Sequence, residues 1–142
     1  MLSIKHFKQL SLIQLLLASL ICIYFSSIEY IELPNVSFDF LDKLLHLSAF
    51  FIYGLSLQVA FIVNMESIEK KLKMKLTARK ICIIIFVIGS IFAASDEIHQ
   101  YYVPGRSADI MDWVFDNLGI ALSLLFYNSI NKIWKKLSEN SR

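Results

Sequence analysis

LLHLSAFFIYGLSLQVAFIVNM, residues Leu44 to Met65, runs for 22 residues without an aspartate, glutamate, lysine or arginine. Gln9 to Ile28 does the same for 20 residues. A helix crossing the hydrocarbon of a bilayer needs about 20 such residues, so each stretch predicts a spanning helix. Two shorter apolar runs, Ile81–Ala94 and Leu118–Ile130, carry acids at one end. The chain therefore reads as an all-α membrane protein with four transmembrane helices, at about 9–28, 41–63, 81–100 and 109–130. At 142 residues the length prior allows one domain, 1–142. Hydrophobic residues make up 56% of the chain, above the usual apolar share of a soluble domain. A soluble bundle of buried helices is the alternative that the run lengths disfavour.

Charge gives the expected orientation. The N-terminus, the Asn64–Lys80 connection and the tail after Tyr127 hold twelve bases against three acids, a balance of +9. The remaining connections hold nine acids against Lys43 and Arg106, a balance of −7. Lysine and arginine concentrate on the cytoplasmic side of membrane proteins. Both termini and the middle connection are accordingly expected to be cytoplasmic. The basic segments then report topology and anionic-lipid contact, with the bilayer as partner and no nucleic acid.

Smaller signals fill in the course of the chain. Pro34-Asn35 marks the turn of an outer loop. Met65, Ile68, Leu72 and Leu76 recur at helical spacing among lysines, as in a short amphipathic surface helix. Helix two passes through Gly54 and Ser56, while Gly89-Ser90 and Ala93-Ala94 of helix three, and Gly119 and Ser123 of helix four, are small residues at which helices are expected to approach closely. Val103-Pro104-Gly105 predicts a reversal. Lys5 and Lys8 before an apolar run resemble a signal peptide, but no small-x-small site follows, so helix one is expected to be retained. Cys22 and Cys82 fall at different depths and read as packing thiols.

The functional signal lies in Ser95–Asp112 and its surroundings. Only 15 uncharged residues separate Lys80 from Asp96, and 15 separate Asp116 from Lys132. At 1.5 Å per residue each covers roughly 22 Å, short of a hydrocarbon core of about 30 Å. Helix three must continue to about Gln100, and helix four must begin near Asp109 or Asp112. Carboxylates are thereby drawn below the surface, with Asp42 and His46 of helix two at the same end. At about 100° per residue, Asp96, His99 and Gln100 share one sector, as do Asp109, Asp112 and Asp116. Intramembrane acids facing lipid are costly, so the two stripes are expected to face one another across an outward-opening pocket. Glu97 points elsewhere, towards Arg106 or Lys43.

These residues carry a resemblance. Asp42-Lys43-x-x-His46, then Asp96-Glu97-x-His99-Gln100-x-Tyr102-Val103-Pro104-Gly105-Arg106-Ser107-x-Asp109, then Asp112, Asp116 and Gly119, resemble the VanZ-like family of small bacterial membrane proteins. The match covers most of 41–125. Ala49-Phe50-Phe51 stands where Ala-Tyr-Phe is commoner, and Ser123 where a second glycine is frequent. The resemblance implies a bacterial cytoplasmic membrane protein, with a namesake associated with low-level resistance to the glycopeptide teicoplanin. It supplies no mechanism.

The residues themselves allow several chemistries. His46 with Asp42, and His99 with Asp96, read as imidazoles oriented by carboxylates for acid–base work, or equally as buried tethers between helices. The candidate set is Asp42, His46, Asp96, Glu97, His99, Arg106, Asp109 and Asp112, with Lys43, Gln100, Asp116 and Asn117 in support. Mixed Asp/His/Glu donors also suit a divalent metal, with Asp96, His99 and Asp112 as the expected ligands if one binds; no other cofactor is indicated. Arg106 holds an anion bidentately or neutralises the acids. Ser95 and Ser107 lack a nucleophile-elbow context. Two functions stand. One is a pocket that acts on or binds an envelope lipid or cell-wall glycoconjugate, with a glycopeptide as a further ligand. The other is a non-catalytic binding protein or a proton or small-solute carrier, its polar cluster a structural network. Below the outer layer only Ser56, Gln58, Ser90 and Ser123 are polar, a poor relay, which leans towards the pocket.

Overall fold

The computed structural model describes residues 3–29 and 39–140. The Pro34-Asn35 turn lies outside them. The described residues are helical, without strands: α1 (Ile4–Ser26), α2 (Asp39–Leu72), α3 (Ala78–Tyr101), α4 (Ile110–Ser123), a 3₁₀ turn (Leu124–Phe126) and α5 (Tyr127–Glu139). Among the described residues four helices, with α4 to α5 taken as one, are long and apolar enough to cross a membrane.

The distribution of side chains is that of a protein dissolved in lipid. Leu16, Ile91 and Leu125 stand 59%, 65% and 77% exposed, whereas Asp116 and Gln58 are fully buried. Water would reverse that preference; hydrocarbon enforces it, because polar groups there need partners inside the bundle. The soluble-bundle alternative predicts the opposite surface.

α2 is longer than the sequence reading allowed. It continues through Met65, Ile68 and Leu72 in one 34-residue helix, with no separate surface helix. No proline or glycine follows Gly54 in it, and Glu and Lys are good helix formers. At 1.5 Å per residue α2 is about 51 Å long, so its basic end projects well past a hydrocarbon core of about 30 Å. It stops where Lys73 takes a left-handed conformation (φ 54°) and the Met74 amide bonds the Glu69 carbonyl at 3.2 Å, a Schellman-type end. The Glu69 carboxylate then accepts from the Leu76 amide (2.7 Å) and from Lys75 (2.9 Å). Thr77 caps α3.

The last span also departs from a single helix. Ser123 donates to the Ile120 carbonyl at 2.7 Å, and this i−3 bond tightens the chain into the 3₁₀ turn. α5 then leaves with Ile130 and Trp134 packed on the core and lysines on its other flank. Trp134 meets Phe7 of α1 edge-on at 5.8 Å. Phe7, Leu10, Gln14, Val63, Ile130 and Trp134 line an apolar groove at this basic end, far from the acidic residues.

α4 packs most extensively on α2, and small residues make this contact, with Gly119 and Ser123 among those the sequence marked for close approach. A Cβ on Gly119 would strike the backbone of Leu47 and Phe51; one on Gly54 would strike Ser123. α3 closes the layer through the stacked rings of Tyr53 and Phe92, 4.4 Å apart. The core comprises Phe50, Tyr53, Leu57, Ile62, Ile85, Ala93 and Ile120. This close α2–α4 seam brings the ends of α2, α3 and α4 together.

Candidate functional site

The site is built where α1 and α3 finish and α2 and α4 begin. Tyr102–Asp109 joins α3 to α4, turning at Gly105, whose φ of 75° suits glycine. Asp109 caps α4 by accepting from the Met111 amide at 2.8 Å. Its own amide donates to Glu97 Oε2 at 3.0 Å. The loop is thus pinned at its end by Glu97, through the Asp109 amide and not through Arg106.

His46 is the hub. It is buried at 8% exposure, and its Nδ1 lies 2.9 Å from Asp116 Oδ1. Glu97 Oε1 is 3.9 Å from the same nitrogen, and Asp112 Oδ2 is 4.0 Å from Nε2. An Nδ1–H donated to Asp116 fixes the ring and leaves Nε2 towards Asp112. Lys43 donates to Asp109 Oδ2 at 3.1 Å and to Asp112 Oδ1 at 3.3 Å. The bond from the Met111 amide, with that from Lys43, holds the Asp109 carboxyl below the usual aspartate range. Asp42 is half-buried and places a carboxylate oxygen with His46 and Asp112 in a group no more than 4.8 Å across.

A second network faces α1. Ser26 donates to Asp96 Oδ2 at 2.6 Å, and Gln100 Nε2 donates to the same oxygen at 3.1 Å. Arg106 donates to Gln100 Oε1 from Nε (3.1 Å) and Nη2 (2.6 Å). His99, exposed, shares a 2.9 Å bond with Ser27.

Several sequence expectations are corrected by this geometry. The partner of His46 is Asp116, not Asp42: α4 packs against the face of α2 that carries His46. His99 bonds Ser27 and Asp96 bonds Ser26, so these two do not form a dyad; three residues apart, they meet successive serines at the end of α1, the last residue of the helix and its cap. Glu97 turns to the Asp109 amide and His46 rather than to Arg106 or Lys43. Arg106 grips the Gln100 amide instead of neutralising an acid. The metal-capable groups among the described residues are Asp42, His46 and Asp112, and His46, Glu97 and Asp116, both centred on His46, not Asp96, His99 and Asp112. The two stripes turn to different neighbours: Asp96 and His99 bond Ser26 and Ser27, whereas Asp109, Asp112 and Asp116 bond Lys43 and His46 of α2. Among the described residues no hydrogen bond or ion pair joins one stripe to the other. Asn117 bonds its own helix, at Trp113 O (2.7 Å).

Sequence reasoning missed the contribution of α1. Ser26-Ser27 ends an uncharged run, and nothing local marks it as facing Asp96 and His99. It also missed helix-to-helix polar bonds deeper in the bundle: Gln58 to Ser123 Oγ at 3.0 Å, Asn64 to Ser11 Oγ at 3.0 Å, and Gln14 to the Ser56 carbonyl at 2.8 Å. A glutamine in the middle of an apolar run is the signal that was available, since it requires a partner.

A model of the family described as VanZ/LLP1 matches residues 3–133. Neither a curated protein nor a solved structure matches the chain.

Proposed function

The chain belongs to the VanZ/LLP1 family, and from that premise we propose that it is a multi-pass protein of the bacterial cytoplasmic membrane, with both termini inside. Its His46 cluster faces outward and acts on, or binds, a lipid-linked or cell-wall glycoconjugate, thereby influencing glycopeptide susceptibility. One observation carries this reading: His46 is held at 2.9 Å by a fully buried carboxylate while Glu97 and Asp112 stand within 4.0 Å of its nitrogens. An oriented imidazole among several acids is the arrangement acid–base chemistry uses, and dense intramembrane ionisation marks functional sites. Arg106 and His99, nearer the surface, suit recognition of an anionic or hydroxylated ligand.

A second reading is favoured by the direction of the bonds. His46–Asp116 and Lys43–Asp112 join α2 to α4, and Ser26–Asp96 joins α1 to α3. Such links specify packing without any chemistry. Deletion of the gene in its native host, followed by profiling of envelope lipids and sensitivity to cell-wall antibiotics including teicoplanin, separates the two. On the first reading, His46→Gln accumulates in the membrane and fails to restore the wild-type profile. On the second, it fails to accumulate.

A further inference from the structure

Two acid groups flank the imidazole of His46, and they are not alike. On the Nε2 side, Asp112 is neutralised by Lys43 at 3.3 Å, and Asp42 is half-buried. On the Nδ1 side stand Glu97 and Asp116, 6% and 0% exposed. Here Glu97 Oε1 and Asp116 Oδ2 are buried without any hydrogen-bond partner. The Asp109 amide occupies Glu97 Oε2, which directs Oε1 inward to 3.9 Å from Nδ1. The donor atoms of His46, Glu97 and Asp116 all lie within 4.8 Å of one another.

Buried carboxylate oxygens without partners are expensive, and two buried anions beside one imidazole leave a net negative charge in a low-dielectric setting. We propose that His46 Nδ1, Glu97 and Asp116 bind one divalent transition-metal cation, which replaces the proton that Nδ1 otherwise donates to Asp116 and leaves the imidazole proton on Nε2, towards Asp112. Two carboxylates and a neutral imidazole around a 2+ ion form an electrically neutral set. The nitrogen donor favours Mn²⁺ or Zn²⁺ over Mg²⁺ and Ca²⁺. Three protein donors leave coordination positions open, which suits a phosphate or hydroxyl oxygen of an envelope ligand. The inference rests on reading the His46 cluster as a ligand-handling centre.

The test uses the full-length chain in detergent, stripped with EDTA, dialysed and titrated with Mn²⁺ alone while free Mn²⁺ is followed by electron paramagnetic resonance. One Mn²⁺ binds per chain, and imidazole-type nitrogen coupling appears in its pulsed spectrum. Glu97→Gln and Asp116→Asn each weaken binding at least about tenfold, the loss typical even of a group that only supports a ligand. Absence of saturable Mn²⁺ binding, of nitrogen coupling, or of any effect from both variants overturns the proposal. The nitrogen coupling is read on the wild type, so it decides even if a variant does not fold. Loss of complementation by Glu97→Gln with unchanged Mn²⁺ binding refutes the cation and leaves the functional reading standing.

Discussion

His46 Nδ1 and Asp116 Oδ1 meet at 2.9 Å across 70 residues of sequence, fastening the start of α2 to the middle of α4. Asp116 has no exposure, so this bond is made wholly inside the bundle. Removing one member of a buried pair leaves the other uncompensated, at a cost of about 3–5 kcal/mol. Asp116→Ala should therefore lower the unfolding temperature of the detergent-solubilised protein sharply. Asp116→Asn, which keeps the shape and one acceptor, should lower it less. Equal effects would mean that the bond contributes little.

The α2–α4 seam makes a steric prediction. A methyl on Gly119 collides with backbone atoms of Leu47 and Phe51, whereas one on Gly89 meets only the side chain of Ile120, at 2.9 Å. Backbone cannot yield without separating the helices, and a side chain can rotate. Overpacking costs about 1–3 kcal/mol; Gly119→Ala should reach or exceed the upper figure and Gly89→Ala should stay near the lower. Thermal unfolding of the two variants side by side checks the order.

Much of this architecture was legible in the sequence. Spans follow from uncharged run lengths, and the small residues marked points of close approach without saying which helices would meet there, because both signals are local properties of a helix. The length of α2 was not, since a run-length rule detects where lipid ends and is silent on where the helix ends. The 3₁₀ turn depends on one hydroxyl, that of Ser123, choosing the Ile120 carbonyl. The acidic residues were found, but their pairing was misassigned. Helical angles place Asp116 and His46 on faces; they do not say which faces meet. Ser26 and Ser27 were missed for that same reason, as partners across α1 and α3.

Asp109 supplies an acid limb to stability. Its carboxyl is held low by the Met111 amide and Lys43, so its folded value lies below its unfolded one. The stability it contributes is present above the ordinary aspartate range, near pH 3.9, and is lost as pH falls through the folded value. Asp109 is 40% exposed at its side chain, and solvent screening keeps the effect small. The unfolding temperature of Asp109→Asn should therefore fall less than that of wild type between pH 6 and the low end of about pH 3. A parallel decline in both would locate the acid limb elsewhere.

Orientation is checked by labelling. In a background with Cys22 and Cys82 replaced by alanine, Ser107→Cys should react with a membrane-impermeant maleimide in intact cells. Lys73→Cys should react only after permeabilisation. Those outcomes follow from the positive charge of the α2–α3 connection, and the reverse pattern would place the His46 cluster on the cytoplasmic face.

The central claim, that the His46 cluster is a chemical centre and not only a set of tethers, is tested most directly by Glu97→Gln. Glutamine keeps the acceptor for the Asp109 amide and alters the oxygen that bonds nothing. The measurement is complementation of the deletion strain by this variant at wild-type membrane abundance. Full abundance with lost complementation is the predicted result. Full abundance with wild-type complementation would contradict the account.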